Sequence, residues 1–128
     1  MLADSKAFSG FAVDDLERAK QFYGETLGVN VEVVDEEHGL LTLHLGGGLD
    51  VLAYLSPEMT PPSYTTLNFP VDDIDQAVED LAARGVTCEQ YGNPDLPQDE
   101  KGVMREGGPL IAWFKDPAGN TLSVLEER

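Results

Sequence analysis

Histidine, cysteine and positive charge are scarce in this chain of 128 residues: it holds two histidines, one cysteine and eight lysines and arginines. A single thiol, Cys88, excludes an intrachain disulfide. With no histidine near it in sequence, Cys88 reads as a buried or half-buried thiol before it reads as a nucleophile. Against the eight cations stand 24 Asp and Glu, for a net charge of −16. Such a surface repels phosphate backbones and anionic bilayers, so neither nucleic acid nor membrane is expected as a partner. The acidity suits solubility or a salty cytoplasm and names no substrate. No apolar run approaches the roughly 20 residues that span a bilayer. The start "MLADSKAF" lacks the basic and apolar stretches of a signal peptide, so a cytoplasmic protein is expected.

What the chain does have is one sentence written twice. "FAVDDLERAKQFYGETLG" (11–28) and "FPVDDIDQAVEDLAARG" (69–85) each run from an apolar lead through V-D-D into an amphipathic segment that closes on glycine. Asp14 or Asp15, and Asp72 or Asp73, suit helix N-caps. Leu16, Ala19, Tyr23 and Leu27 make one helical stripe, and Ile74, Ala77 and Leu81 the other. Gly28 and Gly85 suit the left-handed position past a helix end. A strand candidate precedes each cap, at 7–13 and 64–71.

After each helix the period changes to two. "NVEVVDEEHGLLTLHLGGGLDVLAYL" offers strands at about 30–35, 39–45 and 50–55, and "VTCEQY", "PLIAWFK" and "TLSVL" take the same places in the second half. Val13 and Val71 lie 58 residues apart, Gly28 and Gly85 57 apart, and 40–55 aligns with 110–125 without a gap at 70. The expected fold is α+β, a single domain over 1–128 built of two βαβββ modules, about 1–57 and 62–128. Neither module makes a convincing core alone. Their mixed sheets are expected to pair around a concave cleft, helices outside, with a small molecule in the cleft.

The pattern closely resembles the vicinal oxygen chelate superfamily, which includes glyoxalase I, bleomycin resistance proteins and extradiol dioxygenases. "VDDLERAKQFYGETLG", "NFPVDDIDQAVEDLAARGV" and "WFKDPAGNTLSVLE" carry the likeness and span nearly the whole chain. The resemblance implies one divalent metal held from four positions. These are a His five residues before the V of each V-x-D, and a carboxylate in each last strand, seven residues after the D of D-P-x-G-N in the second. Here the positions hold Phe8, Thr66 and Ser123, with Ala53 as first-module partner of Ser123 by the alignment at 70. Phe, Thr, Ala and Ser are no ligand set for a divalent ion, so no metal cofactor is expected. His38 and His44 offer no substitute. On one strand arm they stand about 20 Å apart at ~3.3 Å per residue, whereas two nitrogens on one ion lie within about 4 Å.

The expected cleft lining is therefore Phe8, Gly10 and Ala12; Thr66, Asn68 and Pro70; Val51, Ala53 and Leu55; and Thr121, Ser123 and Leu125. It suits a moderately polar organic molecule. In "LLTLHLG" alternation sets Leu41, Leu43 and Leu45 on one face and Thr42 and His44 on the other. If the leucines pack under a helix, His44 looks into the cleft, either as a general base or as a hydrogen-bonded strand histidine. Its counterpart by the same alignment is Phe114, a candidate cleft wall beside Trp113. Residues 91–109 are a candidate lid, with Lys101 and Arg105 the only nearby cations. The first reading is a metal-free binder of a small organic molecule. The second is a lyase, isomerase or dioxygenase relative with an atypical mechanism, and the third an accessory dimer. Family members commonly dimerise, so a homodimer is expected.

Overall fold

The computed structural model describes residues 1–127 and divides the chain into two compact units, Met1–Thr60 and Pro61–Arg128. In the first, β1 (Ser9–Val13), α1 (Leu16–Gln21), β2 (Asn30–Asp35), β3 (Leu40–His44) and β4 (Asp50–Leu55) follow in chain order. The second has β5 (Thr65–Pro70), α2 (Ile74–Ala83), β6 (Leu110–Lys115) and β7 (Thr121–Glu126). The sheets run β1-β4-β3-β2 and β5-β7-β6, each with one parallel pair, β1·β4 and β5·β7, and antiparallel neighbours otherwise. The fold class is α+β, as expected from the doubled pattern.

The second aspartate of each V-D-D caps its helix. Asp15 accepts from the Arg18 N–H at 3.0 Å and Asp73 from the Gln76 N–H at 3.1 Å. Each bond satisfies one orphan donor of the first turn, a contribution of about 1 kcal/mol. After Gln21 the first helix widens into a π turn over Phe22–Thr26, which seats Tyr23 at 0% exposure. Its ring meets Phe11 of β1 at 5.7 Å and Phe22 edge-on at 5.2 Å. The helix therefore covers the sheet face that carries Phe11, Val13, Leu41, Leu43, Val51 and Ala53, all buried. In the second unit Ile74, Val78 and Leu81 of α2 are buried with Ala112, Phe114, Leu122 and Val124. The Ile74 N–H donates to Glu126 Oε1 at 2.8 Å, tying the helix start to the end of β7.

One expected strand does not form. "VTCEQY" lies outside the sheet, which has three strands where four were expected. A single bond, Glu89 N–H to Trp113 O at 2.7 Å, reaches β6. The Gln98 side chain takes two more backbone groups of this segment, accepting from the Tyr91 N–H at 2.9 Å and donating to Glu89 O at 2.9 Å, and it also donates to Gly102 O at 2.8 Å. An N–H already donating to a side chain has none left for a ladder, and Tyr91 is so engaged.

Candidate functional site: the helix-free sheet faces

The two hairpins share one register. His44 pairs with Asp50 as Lys115 pairs with Thr121, and Leu41 with Ala53 as Ala112 with Val124. The turns agree too: Leu45 N–H bonds Leu49 O at 2.8 Å, and Asp116 N–H bonds Asn120 O at 3.0 Å. Every equivalence is a shift of 71 residues (44 to 115, 50 to 121), not the 70 read from the sequence. A slip of one residue moves a side chain to the opposite face.

Four expected lining residues, Val51, Ala53, Leu55 and Phe114, lie instead on the helix-covered faces. Ala53 is 0% exposed and paired with Phe11 and Leu41 on the helix-covered face, as Val51 is. Phe114 is 1% exposed, paired with Leu122 on the face that α2 covers. Trp113, half-buried, takes the open face instead, and the counterpart of His44 is Lys115.

On the helix-free face of the second unit a row of three residues crosses the sheet: Asn68 on β5, Ser123 on β7 and Trp113 on β6. Ser123, buried at 0% exposure, donates its hydroxyl to Asn68 Oδ1 at 2.6 Å. Tyr91 meets Trp113 edge-on at 5.7 Å and is 45% exposed. Partial burial, then the Glu89 carboxylate, push the Tyr91 hydroxyl pKa up, so it stays a phenol. Thr66 is the extra residue where the β5 register shifts, and its Oγ1 is buried without a partner. The corresponding row of the first unit is Gly10, Leu52 and Thr42. Phe8 lies just before β1, 71% exposed.

His44 shares that first-unit face, and both its ring nitrogens are engaged. Nδ1 lies 2.8 Å from Asp50 Oδ1 and Nε2 2.9 Å from Glu32 Oε1. Carboxylates only accept, so both contacts are hydrogen bonds at once only when the ring is protonated. The bond to Glu32, then that to Asp50, raise its pKa above the usual 6.5. In that protonated form His44 clamps β2, β3 and β4 together through Glu32 and Asp50. His38 sits exposed in the turn between β2 and β3, its Nδ1 2.6 Å from Asp35 Oδ2.

The metal-ligand positions implied by the resemblance become Phe8, Leu52, Thr66 and Ser123 once the register is corrected. Two are hydrocarbon, and the Ser123 hydroxyl is spent on Asn68. This donor set does not fit a divalent ion. Among the described residues no group of three or more His, Cys, Asp or Glu is arranged to hold one.

The turn "DPAGN" is structural: Asp116 Oδ1 accepts from the Ala118 and Asn120 N–H groups at 2.9 and 2.8 Å. Cys88 is 8% exposed, and burial, then Glu89, push its thiol pKa up, away from nucleophilic use. Within 91–109, Asp99 accepts from the N–H groups of Lys101 and Val103 at 2.9 and 3.0 Å and from Arg105 Nε at 3.0 Å. Arg105 also reaches Asp75 at 2.5 Å, and Lys101 reaches Glu79 at 3.5 Å. These cations are paired to carboxylates, and that part of the loop is pinned. Burial raises the Asp99 pKa, but the bonds from Val103, Arg105 and Lys101 outweigh it and leave the net shift downward.

No helix among the described residues is long and apolar enough to cross a membrane. A family model described as the Glyoxalase/Bleomycin resistance protein/Dioxygenase superfamily matches residues 7–124. A curated relative from Bacillus subtilis strain 168, the uncharacterized protein YraH, is 26% identical over 126 residues, covering 89% of this chain and 91% of YraH. Among solved structures, TnmS3 of Streptomyces sp. CB03234, described as an antibiotic binding protein, is 27% identical with a TM-score of 0.68 and 98% of each chain covered. A superfamily member from Sphaerobacter thermophilus DSM 20745 is likewise 27% identical at a TM-score of 0.68, covering 94% of this chain and 97% of its own. The fosfomycin resistance protein FosX of Listeria monocytogenes, 14% identical at a TM-score of 0.71 with 98% and 94% covered, shares the fold. The chain belongs to the glyoxalase/bleomycin resistance protein/dioxygenase superfamily.

Proposed function

We infer that this protein binds a small organic molecule on the helix-free face of its second sheet, without a metal, and works by sequestration. The observation that carries the reading is the row Asn68, Ser123 and Trp113. Where a chelating relative would supply a ligand, Ser123 is buried and bonded to a neighbouring amide, beside an aromatic wall. Such a surface offers apolar contact and a few oriented polar groups. The likeness to an antibiotic binding protein, at 27% identity, points the same way. The engaged nitrogens of His44 speak against the lyase, isomerase or dioxygenase-related alternative.

The working unit is a homodimer in this reading. β1 and β5 are outermost in their sheets, and apolar side chains beside them, Phe8 at 71% and Tyr64 at 70% exposure, give a second copy something to cover. Thermal shift against organic compounds, with and without chelator, tests the binding. Stabilisation unchanged by chelator is expected; stabilisation that chelator abolishes refutes it. Light scattering reads the assembly, and a species of 13.9 kDa at micromolar concentration refutes the dimer.

A further inference from the structure

We propose that a second site, apart from the helix-free faces, lies in the groove between α2 and residues 86–101, and that it takes a small apolar molecule carrying one positive charge, an aryl- or alkylammonium. The groove follows from how α2 ends. Gly85 N–H bonds Ala82 O at 3.0 Å and Val86 N–H bonds Leu81 O at 2.9 Å, so the chain turns back along the helix it has just left. Val78 and Ala82, four residues apart on the helix, line one gap with Val86 and Cys88. The turn at 99–102 packs directly on that floor: a Cβ at Gly102 would stand 3.1 Å from both Cys88 Cβ and Glu89 O. Such an approach, at φ of 89°, suits glycine alone. It brings Glu100 and Lys101 to the rim. The lining shares no residue with the row Asn68, Ser123 and Trp113.

Size sets the first part of the class. The space is about 250 Å³ and its walls are mostly apolar. An apolar cavity of ~150 Å³ holds benzene, so one ring with a short chain fits here. Glu79, Thr87, Gln90, Glu100 and Lys101 are exposed, so a charged end stays at the mouth, in contact with water.

Charge sets the second part. Glu79 and Glu100 stand at the rim, and Glu89 adjoins the floor, where burial and then its carboxylate raise the Cys88 thiol pKa. Against these three carboxylates stands one ammonium, Lys101, drawn to Glu79 at 3.5 Å. Gln90 Nε2 donates to Asp99 O at 3.0 Å, which leaves the Gln90 oxygen to accept. A rim rich in acceptors, with its donors turned to the protein, attracts an ammonium and repels a carboxylate.

Phenylbutylamine, phenylbutanol and phenylbutanoate share one apolar body and differ in charge. Titrated into isotope-labelled protein and followed by NMR, they read site and class together. The amine, an ammonium at neutral pH, should give saturable amide shifts centred on Ala82, Thr87, Cys88 and Gln90. The alcohol should bind about tenfold more weakly, the loss of one charge-assisted hydrogen bond, and the butanoate more weakly still. Glu79→Gln combined with Glu100→Gln should bring amine and alcohol level. Ala82→Phe and Thr87→Phe, both at exposed positions that leave the fold intact, should each fill the groove and weaken the amine tenfold or more.

Equal native affinity for amine and alcohol, tighter binding of the butanoate, or an amine preference that survives the double Gln variant overturns the charge class and the proposal with it. Amine shifts that persist in both Phe variants, or that scatter over the surface, overturn the site. The amine is then held by the general field of a chain of charge −16. Absence of saturable shifts with all three compounds overturns it equally.

Discussion

Trp113 and Phe114 are sequence neighbours with opposite fates, and truncating each measures the register of the second sheet. Phe114 is 1% exposed among Leu122, Ala112 and the buried face of α2, so Phe114→Ala removes a fully enclosed ring. Such a change costs about 3–5 kcal/mol in lost transfer and cavity terms. For a chain of this length that lowers Tm by roughly 10–20 °C. Trp113 is half-buried on the open face, so its replacement by Ala should cost about half as much and remove the fluorescence signal. Urea denaturation followed by circular dichroism gives both values, with calorimetry as a check. Should Phe114→Ala fail to fold, Phe114→Leu keeps most of the volume and should still cost about 1 kcal/mol. A Trp113 variant less stable than the Phe114 variant would refute the face assignment, and the candidate site with it.

Two further predictions follow from local geometry. His44 has a raised pKa, so its clamp contributes fully below 6.5 and is lost as pH rises through the folded value. The stability gap between the native protein and His44→Gln should shrink as pH rises above 6.5, and an imidazole titrating at or below 6.5 by NMR refutes the clamp. Gly39 has φ of 69°, and a Cβ there would stand 2.5 Å from Leu55 Cβ, so Gly39→Ala should cost more than 1 kcal/mol in urea; a cost within about 0.5 kcal/mol refutes the β3 turn geometry.

The sequence by itself determined the α+β class and the order of elements, apart from the strand expected at "VTCEQY". The duplicated V-D-D segments located both helices and their caps, because capping and a helical stripe are local and survive into any packing. It also determined that the positions implied for metal carry side chains with the wrong chemistry, a conclusion that holds whether Ala53 or Leu52 fills the fourth. Tertiary structure decided which way the strands face. "LLTLHL" alternates, but "LIAWFK" is apolar on both parities, so alignment at 70 or 71 satisfies the pattern equally and only the hydrogen-bonded register separates them. That one residue moved Ala53 and Phe114 into the core and put Trp113 beside Ser123. The pairing of His44 with Glu32 and Asp50, from strands 12 and 6 residues away, was equally illegible, since no local signal marks which carboxylates a fold brings to a ring.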